Sequence, residues 1–429
     1  MPEEIFELIE GKKYARLREL LSDMNPADIA QILEEVPEKE LPVIFRILPK
    51  ELAAEVFVEM DSEMQQLLIE AFSDTELRDV MDELFMDDTV DIIDEMPATV
   101  AKRILRQTDA KTRKMINQLL AYPDDSAGSI MTTEYVDLKK NMTVDEAFDR
   151  IREVGLDTET IYTCYVIDRS RRLLGIVTVK DLLLSPKTSV LSDIMDENII
   201  YANTLDDKEE VAGQFEKYDL MALPVVDKEN RLVGIVTVDD AIDVIQEEAT
   251  EDIEKMAAIL PSDKTYFRTG IFATFKSRIP WLMLLMISAT FTGAIISSFE
   301  EKLTIFPALI AFIPMLMDTG GNSGSQSSVT IIRGISLGDI EFPDIFRVIW
   351  KEVRVALCCS TVLAAVNFIK LWLVDYLLLH TFDPGKQIPE IAVVCITLFF
   401  TVIVAKFIGC VLPILAKKIG LDPAVMASP

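Results

Sequence analysis

The sequence predicts a multidomain protein: an all-α superhelical N-terminal domain, an α/β repeat pair, an acidic connecting helix and an α-helical transmembrane bundle. Three observations predict it: short apolar-periodic segments in residues 1–125, an internal repeat in residues 126–245, and long apolar runs within residues 270–429. The charge also differs between the soluble part and the apolar part of the chain. Residues 264–429 hold 14 bases and 11 acids, so the net charge of −29 arises in the preceding part, with 28 bases and 60 acids. Such a surface repels nucleic acid and concentrates cations.

Residues 1–125 consist of short apolar-periodic segments separated by prolines and acids, such as PADIAQILEEVP and DTVDIIDEMP. This loose recurrence is typical of a superhelix of short helices rather than one bundle. The last of these segments gathers several acids, among them Asp88 and Asp91. A divalent-cation site is one interpretation of this group, and a solvated acidic surface is the other.

Residues 126–245 contain two copies of one pattern. The segment RLLGIVTVKDLL at Arg172–Leu183 returns 59 residues later as RLVGIVTVDDAI at Arg231–Ile242. Each copy predicts two strands with a glycine turn, followed by a helix that begins near an acid. Because both copies match, the region resembles a pair of cystathionine-β-synthase (CBS) domains, the first at residues 126–185 and the second at residues 186–245.

The resemblance to CBS pairs implies a dimerisation module or a site for an adenine nucleotide such as ATP. Each copy ends in Thr-Val-x-Asp, where that family often holds ribose and phosphate. These residues are Thr178 and Asp181 in the first copy and Thr237 and Asp240 in the second. The alternative is that the two acids only open helices.

The run DDAIDVIQEEATEDIE at Asp239–Glu254 holds eight acids and no base. Its apolar residues recur at steps of three and four, which predicts an amphipathic helix: Ile242, Ile245, Ala249 and Ile253. Like charges four residues apart destabilise an isolated helix by roughly 0.2–0.5 kcal/mol per pair. We therefore interpret residues 239–262 as an acidic helix that needs neutralising partners and joins the soluble and membrane parts. A solvated helical face is the alternative.

Four apolar runs predict membrane-crossing helices, which need about 20 residues each. They are Trp281–Phe299, Leu303–Met317, Val355–Leu379 and Ile391–Leu415. Bases such as Lys264 and Arg268 lie before the first run, and others lie between the second and third and after the fourth. By the positive-inside rule the soluble domains are therefore cytoplasmic. Lys406 lies inside the fourth run, where we expect it to reach the cytoplasmic rim or to pair with an acid.

The second run ends in PMLMDTGGNSGSQ, where a proline and three glycines predict a break in the helix at membrane depth. Broken backbone at that depth needs protein or a wet cavity around it, and such breaks often mark the ion pathway of transporters. The oxygen and amide groups here suit a hydrated hard cation such as Mg²⁺. A helix-packing kink built on small residues is the alternative. The candidate pore residues are Asp318, Gly320, Gly321, Asn322 and Gln326.

The order of these regions, with the Gly-Gly-Asn-x-Gly-x-Gln signature at Gly320–Gln326, resembles the MgtE-type magnesium transporters along the whole chain. The resemblance implies a homodimeric, Mg²⁺-selective, channel-like pore in a cell membrane, such as a bacterial inner membrane. It also implies that intracellular Mg²⁺ closes this pore by bridging the soluble domains and the connecting helix. The sensor ligands implied by the match are Asp88, Asp91, Asp207, Glu209, Asp219, Asp240, Asp243, Glu248, Glu251 and Asp252. That family has a fifth span with an acidic pore ligand, so we expect this chain to be a fragment without it.

Two other classes of function fit these features less well. The chain has one histidine, His380, and no nucleophile–base constellation, which argues against an enzyme. A membrane-anchored CBS sensor of nucleotides or cations, without conduction, is the alternative function. Such an anchor needs neither the acidic surface nor the glycine-rich signature, so the sequence favours transport of Mg²⁺.

Overall fold

The structure, a computed structural model, describes residues 2–262, 269–373 and 388–427. It divides into two compact units, Met1–Ile245 and Gln246–Pro429. Some residues used in the sequence predictions lie outside the described ranges: Lys264, Arg268, residues 374–379 and His380.

Short helices follow one another through the first part of the first unit, which confirms the predicted all-α N-terminal region. They are α1 (Pro2–Glu10), α2 (Tyr14–Ser22), α3 (Pro26–Glu34), α4 (Leu41–Phe45), α5 (Lys50–Val58), α6 (Ser62–Ala71), α7 (Asp74–Met81), α8 (Met86–Glu95), α9 (Ala98–Gln107) and α10 (Ala110–Leu119). Several begin at side-chain caps, as at Asn25, whose oxygen accepts from the backbone N–H of Ala27. Apolar residues such as Leu17, Ile29 and Leu68 are buried in one continuous core.

Two three-stranded sheets follow, one for each copy of the repeat. Their elements are β1 (Tyr135–Lys139), α11 (Val144–Val154), β2 (Thr160–Ile167), β3 (Leu173–Thr178), α12 (Val179–Leu184), β4 (Ala202–Asn203), α13 (Lys208–Tyr218), β5 (Ala222–Val226) and β6 (Leu232–Thr237). In both sheets the first strand pairs in parallel with the second, which pairs antiparallel with the third. Equivalent pairs, Cys164 with Val177 and Leu223 with Val236, occupy the same register. The predicted α/β repeat is confirmed.

The connecting helix α14 (Val238–Met256) leaves β6 without a loop. The predicted helix is present, and the apolar residues that define its predicted apolar face are exposed in the single chain. Ala241 and Val244 are buried, whereas Ile242, Ile245 and Ile253 are exposed in the single chain. Because the helix continues directly from a strand, the sheet fixes its rotation, and the sequence periodicity does not. The helix also ends before residue 262, and Ala258 takes up a left-handed conformation with φ 56°.

The second unit is built on α15 (Ile271–Ser298), α16 (Glu300–Ile305), α17 (Ile313–Ser336), α18 (Ile345–Lys370) and α19 (Ile388–Lys418). Within the described ranges, three segments are long and apolar enough to cross a bilayer: Ile271–Ser298, Phe342–Leu373 and Pro389–Lys418. These correspond to the first, third and fourth predicted spans. The predicted second span, Leu303–Met317, is not one continuous helix, because α16 ends at Ile305 and α17 begins at Ile313. Pro307 disfavours helical backbone at the residue before it, and Phe306 accordingly has φ −128° and ψ 70°.

The predicted break in the glycine-rich signature is also wrong, because α17 runs through Gly320–Gln326 without interruption. Pro314 lies in the first turn, where a missing N–H costs no helical hydrogen bond. The helix tolerates these glycines because Gly320 and Gly324 pack against α19, where a larger side chain would not fit. A Cβ on Gly320 would lie 2.8 Å from Thr401 Cγ2, and a Cβ on Gly324 would lie 3.2 Å from the Ala405 carbonyl oxygen. Helix packing on small residues, the alternative interpretation, explains these two glycines.

Candidate functional site

The first unit brings seven carboxyl side chains close enough to perturb one another. We call this group the acid cluster: Glu59, Asp87, Asp88, Glu134, Glu159, Asp239 and Asp240. Asp87 and Asp88 lie in the first turn of α8. The N–H of Met86 donates to Glu134 Oε2 at 2.9 Å, and the N–H of Glu159 donates to the Glu134 carbonyl oxygen at 2.9 Å. The first bond holds the start of α8 against the first CBS copy, and the second joins Glu134 to Glu159 within that copy.

Burial and mutual repulsion raise the pKa values of these acids. The pKa of Asp88 rises to about 7 and that of Asp240 to about 6, first because of desolvation and then because of neighbouring carboxylates. The pKa of Glu159 rises to about 8 for the same reasons, with Asp88 the largest of the charges that act on it. The pKa of Asp87, which is 7 % exposed, rises well above its usual range. The cluster therefore binds protons at neutral pH, and a cation would relieve the same repulsion.

Only part of the predicted sensor set lies in or beside the acid cluster. Asp88 and Asp240 belong to it, and the pKa of Asp243 is raised by burial and then by Asp239. Asp91 lies on the exposed face of α8. Asp87 and Asp239 each lie next to a predicted ligand within an acidic run, so the sequence could have indicated that they belong to this cluster. Nothing in the sequence around Glu134 and Glu159 indicates that they join the acid cluster, because only the fold brings them close to its other members.

The three predicted ligands of the second CBS copy lie along one helix rather than at one point. Asp207 caps α13, where its Oδ1 accepts from the N–H of Glu209 at 2.9 Å. Asp219 ends the same helix in a left-handed conformation with φ 52°. An eleven-residue helix is about 16 Å long, so Asp207 and Asp219 cannot share one ion within this chain.

The remaining predicted ligands belong to the end of α14, in the second unit. Lys255 Nζ lies 2.6 Å from Glu251 Oε1 and 2.6 Å from Asp422 Oδ2. The pKa of Asp252 is raised by burial and then by the charge of Asp422. Glu248 is half-buried on the same helix. A lysine thus already neutralises part of this second acidic group, in contrast with the acid cluster, where the neighbouring charges that raise the pKa values are all carboxylates.

The donors of the acid cluster suit Mg²⁺ in kind. Mg²⁺ prefers oxygen ligands, keeps several of its waters and commonly takes only one or two carboxylates from a protein. Among the residues that the structure describes, no three histidine, cysteine, aspartate or glutamate side chains converge at metal-ligand geometry. Binding of a hydrated ion through one or two of the raised-pKa carboxylates is compatible with this arrangement.

The two Thr-Val-x-Asp motifs form the same local structure in different surroundings. In each, the threonine hydroxyl donates to the aspartate three residues on at 2.5 Å, as Thr178 does to Asp181 and Thr237 to Asp240. Backbone N–H groups complete the motifs: Asp181 N–H donates to Thr178 Oγ1 and caps α12, and Thr237 N–H donates to Asp240 Oδ2 at the start of α14, as the simple helix-opening interpretation requires. Thr178 and Asp181 are accessible, whereas Asp240 belongs to the acid cluster. The two motifs therefore differ in their electrostatic surroundings.

The signature helix α17 has two faces. Gly320, Ser323 and Ser327 are buried on the side that packs within the unit. Asp318, Asn322 and Gln326 are exposed and recur at four-residue steps, so they form one polar line along the opposite side, which we call the polar face. Gly321 also lies on the exposed side, where an added Cβ would meet nothing within 4 Å. The predicted pore residues therefore separate into Gly320, which packs, and four exposed positions.

Family models match the chain in sequence order. The MgtE intracellular N domain matches residues 24–125, the CBS domain matches residues 127–186 and 191–247, and the divalent cation transporter domain matches residues 313–429.

Known relatives match almost the whole chain. The magnesium transporter MgtE of Thermus thermophilus is 36 % identical over 98 % of this chain and 92 % of its own length. That of Bacillus subtilis is 34 % identical over 98 % and 91 %. The crystal structure of the cytosolic domain of the Mg²⁺ channel MgtE in complex with ATP is 36 % identical, with a TM-score of 0.54 over 57 % of this chain and all of that one. These similarities agree with the arrangement of helical domain, CBS pair and apolar helices, and the chain belongs to the MgtE family of magnesium transporters.

Proposed function

We propose that this protein carries Mg²⁺ across a membrane along the polar face of α17, and that Mg²⁺ on the cytosolic side regulates this passage. The observation that carries the proposal is the exposure of Asp318, Asn322 and Gln326 on a helix of the apolar unit. Hydrocarbon cannot satisfy a line of carboxylate and amide groups. The polar face therefore borders water, and its oxygen atoms suit a hydrated divalent cation. A water-lined polar face on a helix of the apolar unit is a feature of a transporter rather than of an enzyme.

The exposure of the polar face in a single chain supports a homodimer. A pore needs a wall on every side, and the other described helices of this unit do not cover Asn322 or Gln326. A second copy related by a two-fold axis would close the pathway with its own polar face. The exposed apolar side chains of α15, such as Phe272, Phe291 and Ile295, then meet lipid or the second copy.

The acid cluster supports regulation by Mg²⁺ from the cytosol, where the soluble domains lie in this proposal. Without a cation, repulsion among Asp88, Asp240 and Glu159 opposes the association of α8 with the CBS pair and the start of α14. A bound Mg²⁺ converts the repulsion into attraction and favours the compact arrangement. Because α14 continues from the cluster into the second unit, such compaction would bias the helix that leads to the membrane.

The polar face is tested by Asn322→Leu in liposome-reconstituted protein. Asn322 is exposed, so the change removes a polar group from the pathway without disturbing the core, and we expect Mg²⁺ flux to fall by about tenfold or more with Tm nearly unchanged. Thr361→Leu on α18 is the matched control, since it is the same kind of change at another exposed position. A variant that unfolds more easily and yet transports normally would assign Asn322 to helix packing.

We further propose that ATP binds at Thr178 and Asp181 rather than at Thr237 and Asp240. The ATP bound to the solved cytosolic domain of a relative supports a nucleotide in the soluble part of this chain, and the crowded carboxyl groups around Asp240, which already disfavour one another's negative charge, disfavour a polyphosphate there. Asp181→Ala should then weaken ATP binding, measured by calorimetry on the soluble region, by about tenfold or more, because a charged hydrogen-bond acceptor is lost. Asp240→Ala should weaken it little, and the reverse ranking would place the nucleotide at the second motif.

A further inference from the structure

Three polar side chains are buried together between the long helices of the second unit. Lys406 on α19 is 6 % exposed, Ser327 on α17 is 2 % exposed, and Glu352 on α18 is 9 % exposed. Lys406 Nζ donates to Ser327 Oγ at 3.2 Å, and Ser327 Oγ donates to Glu352 Oε2 at 2.8 Å. We call these three residues the buried triad. The sequence predicts that Lys406 reaches the cytoplasmic rim or pairs with an acid; in the structure its hydrogen bond goes to Ser327, and the nearby acid Glu352 is linked to it only through that serine.

The triad combines a cation and an anion that neither lipid nor an apolar core would solvate. A lone charge in such a place is costly. The serine hydroxyl resolves the problem for both partners, because it accepts from the ammonium and donates to the carboxylate. Each charge thus depends on the other two helices, so the three helices are stable together only in the arrangement that keeps these bonds.

The triad lies next to a close approach of α17 and α19. A Cβ on Gly409 would lie 2.3 Å from the carbonyl oxygen of Gly324, so the two backbones nearly touch one turn from Ser327 and Lys406. Ser327 directly follows Gln326, the last residue of the polar face. The buried bonds on one side of α17 therefore fix the rotation that exposes Asp318, Asn322 and Gln326 on the other side.

We propose that Lys406, Ser327 and Glu352 are positioning residues for cation passage: they lock α17 between α18 and α19 so that its polar face points into the pathway. The residues themselves do not touch the transported ion. The lock is a property of the fold, and its effect on Mg²⁺ passage rests on the proposed transport function.

The experiment compares single and double substitutions in purified, reconstituted protein. Lys406→Met and Glu352→Gln each leave one buried charge without its counter-charge, so each should lower Tm by on the order of 10 °C. The double variant removes both charges and should recover most of that loss, since neutral replacements of a buried ion pair are often tolerated. Additive losses in the double variant, or single variants as stable as the unaltered protein, would overturn the proposed coupling of the two charges through Ser327.

The positioning role is tested by the dependence of flux on Mg²⁺ concentration. Ser327→Ala removes the bridging hydroxyl and should raise the half-saturating Mg²⁺ concentration by roughly tenfold, because the polar face is displaced. Ser328→Ala is the matched control: Ser328 is equally buried, but its hydroxyl donates to the Met426 carbonyl oxygen at 3.3 Å. If Ser327→Ala lowers only the maximal flux, and Ser328→Ala does the same, the triad serves stability alone. If the unaltered protein carries no Mg²⁺, the proposed function fails, and the thermal comparison still decides whether the two charges are coupled through Ser327.

Discussion

Raising the pH from about 5 to about 8 without Mg²⁺ should lower the Tm of the soluble region, residues 1–262, by roughly 10 °C. Asp88 has a pKa of about 7 and Asp240 a pKa of about 6, both above the usual 3.8. The folded protein therefore binds more protons than the unfolded chain between about pH 4 and pH 8, so stability is lost as the pH rises through that interval. For these two coupled acids the loss is on the order of 4 kcal/mol.

Millimolar Mg²⁺ should reverse this loss at pH 8 and have little effect at pH 5, where protons already occupy the acid cluster. A site filled to 100 times its Kd adds about 2.7 kcal/mol to stability. The measurement is thermal unfolding and limited proteolysis in Mg²⁺ and in Na⁺ at equal ionic strength, which separates binding from general screening. Equal protection by Na⁺ would show that the acids are only a solvated surface.

Matched variants assign the effect to the cluster. Asp88→Asn with Asp240→Asn should flatten the pH dependence and remove most of the Mg²⁺-specific stabilisation. Glu10→Gln with Asp28→Asn removes the same two charges from exposed positions of the helical domain and should change neither. If both pairs of substitutions behave alike, net charge rather than the cluster is responsible.

Gly409→Ala should destabilise the detergent-solubilised protein by about 3 kcal/mol or more, although alanine is the better helix former. The added Cβ would lie 2.3 Å from the Gly324 carbonyl oxygen, a backbone atom that cannot turn away, so α17 and α19 must separate. Separation also strains the hydrogen bond between Lys406 and Ser327. We therefore expect Mg²⁺ flux to fall together with Tm, measured on one preparation.

Gly293→Ala on α15 is the control for this substitution. An added Cβ there meets nothing within 4 Å, so the gain in helix propensity, up to about 1 kcal/mol, should appear as equal or higher stability. The same glycine-to-alanine change is thus expected to lower stability at Gly409 and to maintain or raise it at Gly293. A stabilising Gly409→Ala would show that the two helices do not approach each other this closely.

The sequence by itself determined the identity and order of the regions. Periodicity predicted the short helices of the first domain, the repeat at Arg172 and Arg231 predicted two matching sheets, and apolar length predicted the helices around Met286, Leu357 and Val402. These features follow from local composition and spacing, which report directly on burial and on backbone preference. The family resemblance followed from their order and from the signature.

The tertiary structure decided which side chains meet and which face is covered. Glu134 and Glu159 joined Asp88 because the start of α8 hydrogen-bonds to the first CBS copy, a contact between distant segments. The signature predicted a broken helix because glycines weaken an isolated one. In the structure α17 is continuous, since Gly324 and Gly409 let two backbones approach. Lys406 is linked to Glu352 on another helix by two hydrogen bonds through Ser327. Such pairings depend on how helices are rotated and packed, which local spacing does not specify.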